Sequence, residues 1–503
     1  MSLPSIKVSE NIEAMADAAI AALAGDDRDD ADSIYQRGGR LVHLVRSEEP
    51  GEAAVLVIRN VAPATLAERL SAVATWYREV VDKNGSLKMR AVKPPKDVVA
   101  AVAERGHWPG IRQLVGLVDA PMLRADGSVL QTPGYDVASG YLYRPNADFP
   151  LVPEAPTRAD AIAAATDLAE VIADFPFAKD ADRSVWLAEL LTVLARPAIK
   201  GNTPLFVVDA SVRGAGKGKL VDTIGILATG RRVPTCTLPT SEEEIRKKLT
   251  SIISAGKLVV HFDNVTEPIG GENLESLATS PTWGDRQLGK NDASANIELP
   301  KRIVVFFTGN NLRYKGDTAR RVVPLRLVPR DEHPEDRNDF RHADLLSWVS
   351  EHRPRLVTAA LTILRGFHTA LCPRTGAAYG SFEEWAALIV EAVRWIGWPD
   401  PMGTRTGIEE ANDETKAALL YIVEQWQPSF GQRRTTAKQI AARLSQLSDL
   451  RVAFATVCGN DSLDSRRIGD ALAKHKDRVI SGRSIRKAGV LDGAAAWECN
   501  RVA

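Results

Sequence analysis

Cysteine is scarce in this chain: Cys236, Cys372, Cys458 and Cys499 are far apart among 503 residues. That spacing excludes a disulfide framework and a C-x-x-C zinc site, and leaves the four as small hydrophobes. Net charge is lacking too, because 64 Lys and Arg balance 64 Asp and Glu. A polycation that coats nucleic acid is thereby excluded, so contact with nucleic acid has to use local patches. No uncharged apolar stretch reaches the roughly 18 residues that a membrane span needs. The opening MSLPSIKVSENIEAMADAA has no basic segment followed by an apolar run, so no signal peptide is expected and the expected location is the cytoplasm. What is present is 45% apolar and 25% charged residues, the balance of folded globular protein. At roughly 150 residues per domain, the length suggests about three domains.

Along the chain, residues 1–32 read as an N-terminal helix and acidic linker, ending in Gly25-Asp26-Asp27-Arg28-Asp29-Asp30. Residues 33–150 mix short β-rich runs with a helical segment, a small α+β module closed by the proline-rich PNADFPLVPEAP. From 151 to 340 the apolar runs LFVVDA, KLVVHFDN, RIVVFFTGNN and VVPLRLV alternate with helical patterns, which predicts an α/β core with a parallel sheet. Residues 341–430 are helical, with Trp385, Trp395, Trp398 and Trp426 at positions suited to a core.

The chemistry concentrates in the α/β core. After LFVVDA comes Ser211-Val212-Arg213-Gly214-Ala215-Gly216-Lys217-Gly218-Lys219, then a helical run. A strand, a glycine-rich loop and a lysine at a helix start make a phosphate cradle, because glycines admit close backbone approach and the helix N-terminus faces the anion. Gly214, Ala215, Gly216, Lys217, Gly218 and Lys219 are therefore the expected nucleotide-binding residues. Two positions depart from G-x-x-x-x-G-K-[ST]: Ser211 replaces the first glycine, and Gly218 replaces the hydroxyl that normally binds Mg²⁺. Asp263 ends the apolar run KLVVHFD, where a carboxylate can hold Mg²⁺ through water. Asn310 and Asn311 end a further strand, where amides orient an attacking water or sense the γ-phosphate. Arg320 and Arg321 precede the next strand, the place from which an arginine finger reaches a neighbouring subunit's nucleotide. Asn264 follows Asp263, and an amide cannot take a proton, so the water has to be polarised by Asp263 or by another carboxylate, with Glu244 and Glu267 the nearest in sequence.

Phe262-Asp263-Asn264-Val265, Trp283-Gly284-Asp285-Arg286-Gln287-Leu288-Gly289, Thr308-Gly309-Asn310-Asn311 and Gly316-Asp317-Thr318-Ala319-Arg320-Arg321 together resemble the AAA+ ATPase module of prophage and mobile-element primase-helicases, which are related to superfamily 3 helicases. The resemblance implies an AAA+ P-loop core in residues 151–340 and a helical lid in 341–430, with ATP and Mg²⁺ as cofactors. It also implies DNA as partner and a homo-oligomer, most simply a hexamer. Residues 286–300 read as a hairpin with Lys290 near its tip, placed where related helicases point a basic residue at DNA. An ordinary surface hairpin stands equally open.

Residues 431–503 carry 14 Lys and Arg against 7 Asp and Glu, a local excess that the overall balance hides. Their order of helices followed by two strands is the winged-helix pattern, with Arg466, Arg467 and Lys474 on the segment that would face DNA. A protein-docking wing remains the competing reading. The expected function is an ATP-dependent DNA-translocating motor acting in replication of a phage or integrated element. The alternative, favoured by Gly218 and Asn264, is an ATP-binding assembly switch with weak or no hydrolysis: an initiator, regulator or defence component.

Overall fold

The computed structural model describes residues 3–26, 28–47, 55–286, 296–331, 333–370, 379–406, 413–431 and 434–501. The chain forms two compact units, Met1–Thr404 and Arg405–Ala503. In the first, β1 (Ser5–Lys7), α1 (Ile12–Ala24), β2 (Tyr35–Arg37), β3 (Arg40–Ser47), β4 (Val55–Asn60), α2 (Pro63–Val73), β5 (Thr75–Val81), β6 (Leu87–Ala91) and α3 (Lys96–Ala103) make a mixed α and β layer. The sheets are β1-β5-β6 and β2-β3-β4. The three helices bury Ile20, Leu66, Leu70, Val98 and Val102 against Trp76 and Trp108.

Beyond this layer come the helices α4 (Arg158–Val171) and α5 (Asp180–Leu194). The main α/β segment follows: β7 (Leu205–Ala210), α6 (Lys217–Thr229), β8 (Thr235–Cys236), α7 (Glu242–Ser254), β9 (Val259–Val265), α8 (Glu272–Thr279), a hairpin of β10 (Thr282–Arg286) and β11 (Asn296–Pro300), β12 (Val304–Asn310), β13 (Val322–Leu327) and the long helix α9 (Leu345–Thr369). Five of these strands pair in the order β8-β9-β12-β7-β13, all parallel. Unbroken apolar runs suit strands covered on both faces, and every residue of β7 is buried. The predicted runs all lie in this sheet. Among the described residues, no helix is long and apolar enough to cross a membrane.

Buried arginines fasten residues 33–150 to the sheet unit. Arg37 donates to the carbonyls of Leu114, Val115 and Ile253, the last in α7 at 2.9 Å. Arg353 of α9 donates to the carbonyls of Leu227 and Asp119 and to Asn146. Backbone carbonyls solvate both guanidinium groups, as a planar donor with no acceptor requires.

In the second unit, α10 (Asp413–Phe430), β14 (Thr435–Thr436), α11 (Ala437–Leu444), α12 (Ser448–Cys458), α13 (Ser465–Lys474), β15 (Val479–Ile480), β16 (Arg483–Leu491) and β17 (Ala494–Arg501) enclose one core of Ile422, Trp426, Ile440, Phe454, Ile468, Leu472 and Trp497. The sheet runs β14-β17-β16-β15. Helix α10, grouped by sequence with residues 341–430, shares this core.

Lys301, at the foot of the β10–β11 hairpin, is 2% exposed and donates to the Leu277 carbonyl and to Asn202 Oδ1 at 3.2 Å. Burial, with Arg196 and Arg302 close by, pulls its pKa down to about 7. Between about pH 7 and the ordinary lysine value of 10.5 the unfolded chain holds this proton and the folded chain does not, so stability rises with pH across that window. Relative to Lys301→Met, the parent chain is expected to gain about 1.4 kcal/mol per pH unit from about pH 7 to 9.5 in denaturant melts. Parallel pH profiles for the two proteins would contradict this.

Candidate nucleotide site

The loop expected to cradle phosphate is built by a change of backbone hand. Helix α6 starts at Lys217, and its N-cap Gly216 has φ 90°, with Gly214 at φ 76°. A side chain is strained at such angles. A Cβ on Gly216 would also lie 3.0 Å from the Phe175 ring. The glycines thus bring the loop round to the start of α6, where the helix dipole favours an anion. Gly218 differs: a Cβ there would meet nothing within 4 Å. Space for the absent hydroxyl exists beside the cradle.

Parallel pairing of β7, β9 and β12 brings the other groups to the same sheet edge. Lys217 Nζ donates to Asn310 Oδ1 at 2.6 Å. Burial lowers the lysine pKa, while Asp209 and Asp263 raise it. Thr308 Oγ1 donates to Asp263 Oδ1 at 2.5 Å and lies 3.0 Å from His261 Nε2. The Asn264 N–H donates to the same hydroxyl at 3.3 Å. Strand β9 changes register between Phe262 and Val265, and Asn264 sits there at φ 52°. Burial pulls the His261 pKa down, so its ring is neutral near pH 7 and serves Thr308 as a hydrogen-bond partner.

The two expected amides have separate surroundings. Asn310 lines the cleft. Asn311, at φ 51°, accepts from Arg326 Nη2 at 2.9 Å and donates to the Ser211 carbonyl at 3.4 Å. Arg326 also pairs with the buried Asp209, which accepts the Leu312 N–H at 3.1 Å. This group braces the loop that follows β12 against the strand that leads into the cradle. Thr308, Asp209, Arg326 and Glu335 escape the sequence reading. For Asp209 the signal was there, a carboxylate inside the apolar run LFVVDA.

A cleft of about 1490 Å³ opens beside the cradle, lined by residues 213–219, Asp263, Asn264 and Asn310. Ile172, Phe175, Phe340 and His342 add an apolar and aromatic wall, and Arg183 and Arg330 add cations. Such a cleft has ample room for a nucleoside triphosphate. The segment between β13 and α9 crosses its mouth: Glu335 packs on Gly214, where an added Cβ would come 2.6 Å from the carboxylate. Arg337 ties this segment down by donating to the Asp174 carbonyl at 2.8 Å.

Arg320 and Arg321 are absent from this lining. Both lie on a 3-10 turn, Gly316–Arg321, where Arg320 pairs with Asp317, and Arg321 with Asp317 at 2.8 Å and Glu275 at 3.1 Å. Glu244 and Glu267 do not line the cleft either. Glu244 opens α7 behind its N-cap Ser241 and pairs with Lys247 at 2.9 Å. Lys290 lies outside the described residues. In the C-terminal unit, Arg466, Arg467 and Lys474 are exposed on α13, whose opposite face buries Ile468, Ala471 and Leu472. Among the described residues no group of three or more His, Cys, Asp or Glu is placed to hold a metal ion.

No family model and no curated protein matches this chain. Among solved structures it is similar to the NrS-1 C-terminal region, residues 305–718, at 11% identity and a TM-score of 0.36, covering 84% of this chain and 96% of that one. It is similar to the SCCmec type IV Cch active helicase at 11% identity and a TM-score of 0.32, covering 92% and 93%. Against the JCV helicase the identity is 13% and the TM-score 0.22, over 52% and 72%.

Two substitutions are expected to move nucleotide affinity in opposite directions. Lys217→Ala removes the cation of the cradle and should weaken ATP binding by tenfold or more, on the order of one charge-assisted hydrogen bond. Glu335→Gln removes a like charge at the cleft mouth and should tighten binding by roughly two- to tenfold. Calorimetric titration with a non-hydrolysable ATP analogue checks both, and equal binding by Lys217→Ala would dismiss the cradle.

Proposed function

We propose that this chain is an ATP-dependent motor that translocates along DNA as a ring of identical subunits, most simply six. One observation carries the reading: the glycine-rich cradle, Lys217, Asp263 and Asn310 meet at one edge of a parallel sheet, while Arg320 and Arg321 lie away from that cleft. A complete triphosphate seat without its own arginine from this pair suits a site finished by the neighbouring subunit. The setting in replication of a phage or integrated element follows from the motif resemblance.

In this reading the amides of the 214–218 loop and Lys217 hold the β- and γ-phosphates, and the bond from Lys217 to Asn310 is exchanged for phosphate oxygen when ATP enters. Asp263, fixed by Thr308, faces the metal side. A bound Mg²⁺ would neutralise charge on the phosphates. With glycine at 218, the ligand that a hydroxyl gives Mg²⁺ in related loops would have to come from water or phosphate. Asn310 orients the attacking water, and Asn264 contributes a neutral amide where many related enzymes have a base. Helix α13, with its winged-helix surroundings and with Arg466, Arg467 and Lys474 outward, supplies salt-sensitive contacts to DNA phosphates.

The second reading, an ATP-binding assembly switch with weak hydrolysis, is favoured by the same two departures, Gly218 and the bulged Asn264. Mixing decides between them. Lys217→Ala subunits should seat ATP poorly, and Arg320→Ala or Arg321→Ala subunits should fail to serve a neighbour, so each alone is expected to turn over little ATP, with arginine fingers typically contributing about 10³ to 10⁵ in rate. Mixed in varying ratios, they should regain part of the DNA-stimulated ATPase. No recovery at any ratio would count against a shared site.

A further inference from the structure

The β5–β6 hairpin reaches beyond what the fold uses. Trp76 is buried in the N-terminal core, but from Arg78 to Ala91 no side chain is buried. Val81, Leu87 and Met89 are 68%, 69% and 76% exposed. Strand β6 is the edge of its sheet. A ribbon of this length contributes little to its own core, so its sequence answers to something else.

Register shows what that is. Arg78 pairs with Arg90, Val80 with Lys88, Glu79 with Met89, and Val81 with Leu87. Side chains alternate across a strand, so Arg78, Arg90, Val80 and Lys88 share one face, and Tyr77, Glu79, Met89, Val81 and Leu87 the other. Two arginines directly opposite each other are destabilising in an isolated sheet. The nearby carboxylates are already engaged: Glu79 with Lys7 at 2.5 Å on the other face, and Asp82 with Lys88 at 2.8 Å. Asp82 also accepts the turn amides of Asn84 and Ser86. From Thr75 to Lys96 there are six Lys or Arg against two acidic residues, in a chain with no net charge. Among the described residues no carboxylate pairs with Arg78 or Arg90, and two-stranded ribbons fit nucleic-acid grooves.

We propose that this face of the β5–β6 hairpin is a second nucleic-acid contact, binding backbone phosphates through Arg78 and Arg90. It rests on the reading that the protein acts on DNA, and adds a contact separate from the ATP cleft and from α13. Phosphate contacts position a strand without reading its sequence. The hairpin therefore holds DNA in place and leaves base discrimination to other elements.

The test exploits the like-charge pair. In the full-length chain, Arg78→Glu converts a repulsive cross-strand pair into an attractive one, so thermal stability should hold or rise. Binding of fluorescein-labelled duplex and single-stranded oligonucleotides, followed by anisotropy over a salt series, should weaken about three- to tenfold at low salt. The log–log salt slope should shrink by about 0.9 for duplex or 0.7 for single strand for each phosphate ion pair removed. The double variant Arg78→Glu/Arg90→Glu should bind still less, and Arg78→Lys should stay close to the parent. Binding and slope unchanged in Arg78→Glu would overturn the proposal, as would an equal weakening in Arg78→Lys, which keeps the charge. If the Arg466→Glu/Arg467→Glu variant loses affinity while Arg78→Glu does not, the hairpin proposal alone is wrong. If the parent chain binds no nucleic acid, the DNA-motor reading falls with it.

Discussion

A half-buried ammonium needs a partner that faces it, and Lys217 is the point on which the site turns. Burial works against its charge, while Asp209 and Asp263 favour it from nearby strands. Its hydrogen bond goes to a neutral amide oxygen, Asn310 Oδ1. A neutral acceptor is a partner that an anion can replace with gain, because charge-assisted hydrogen bonds are about twice as strong as neutral ones. The two carboxylates are each occupied elsewhere, Asp209 by Arg326 and Asp263 by Thr308. Were either free to close on Lys217, the cradle would neutralise itself.

Parallel pairing makes this arrangement possible. It aligns the ends of β7, β9 and β12, so residues from positions 209 to 310 converge without a long loop between them. The irregularity at Asn264 and the left-handed turn at Asn311 end two of these strands beside the 214–218 loop. Buried Arg37 and Arg353 extend the same rigidity to the N-terminal layer.

Much of this was legible in the sequence because its signals are local. Four apolar runs of strand length mark four of the sheet's five strands, and the glycine pattern with its lysine marks the loop that opens α6. The braces were not legible, since they depend on register. Nothing near Thr308 reveals that its hydroxyl will bridge Asp263, His261 and Asn264 from an adjacent strand. Glu335 belongs to no periodic pattern, so its place on Gly214 follows only from how the 328–344 segment folds back. Helix α10 has ordinary amphipathic spacing, which cannot say which neighbour it packs on; Trp426 joins Phe454 and Trp497 in the C-terminal core. The opposed arginines of the β5–β6 hairpin were likewise hidden, twelve residues apart in sequence and adjacent only in register.

Charge organisation ties site to partner. The chain is neutral overall, yet it concentrates cations beside the 214–218 loop, on α13 and on one face of a hairpin, a distribution that suits the proposed handling of two polyanions. In the proposed motor, ATP turnover moves DNA. A forked duplex carrying a fluorophore and quencher at its ends, incubated with the full-length chain and Mg²⁺-ATP, measures that directly. The account predicts strand separation that needs hydrolysable ATP and is lost in Lys217→Ala. ATP binding without strand separation and without DNA-stimulated turnover would contradict the motor and leave the switch.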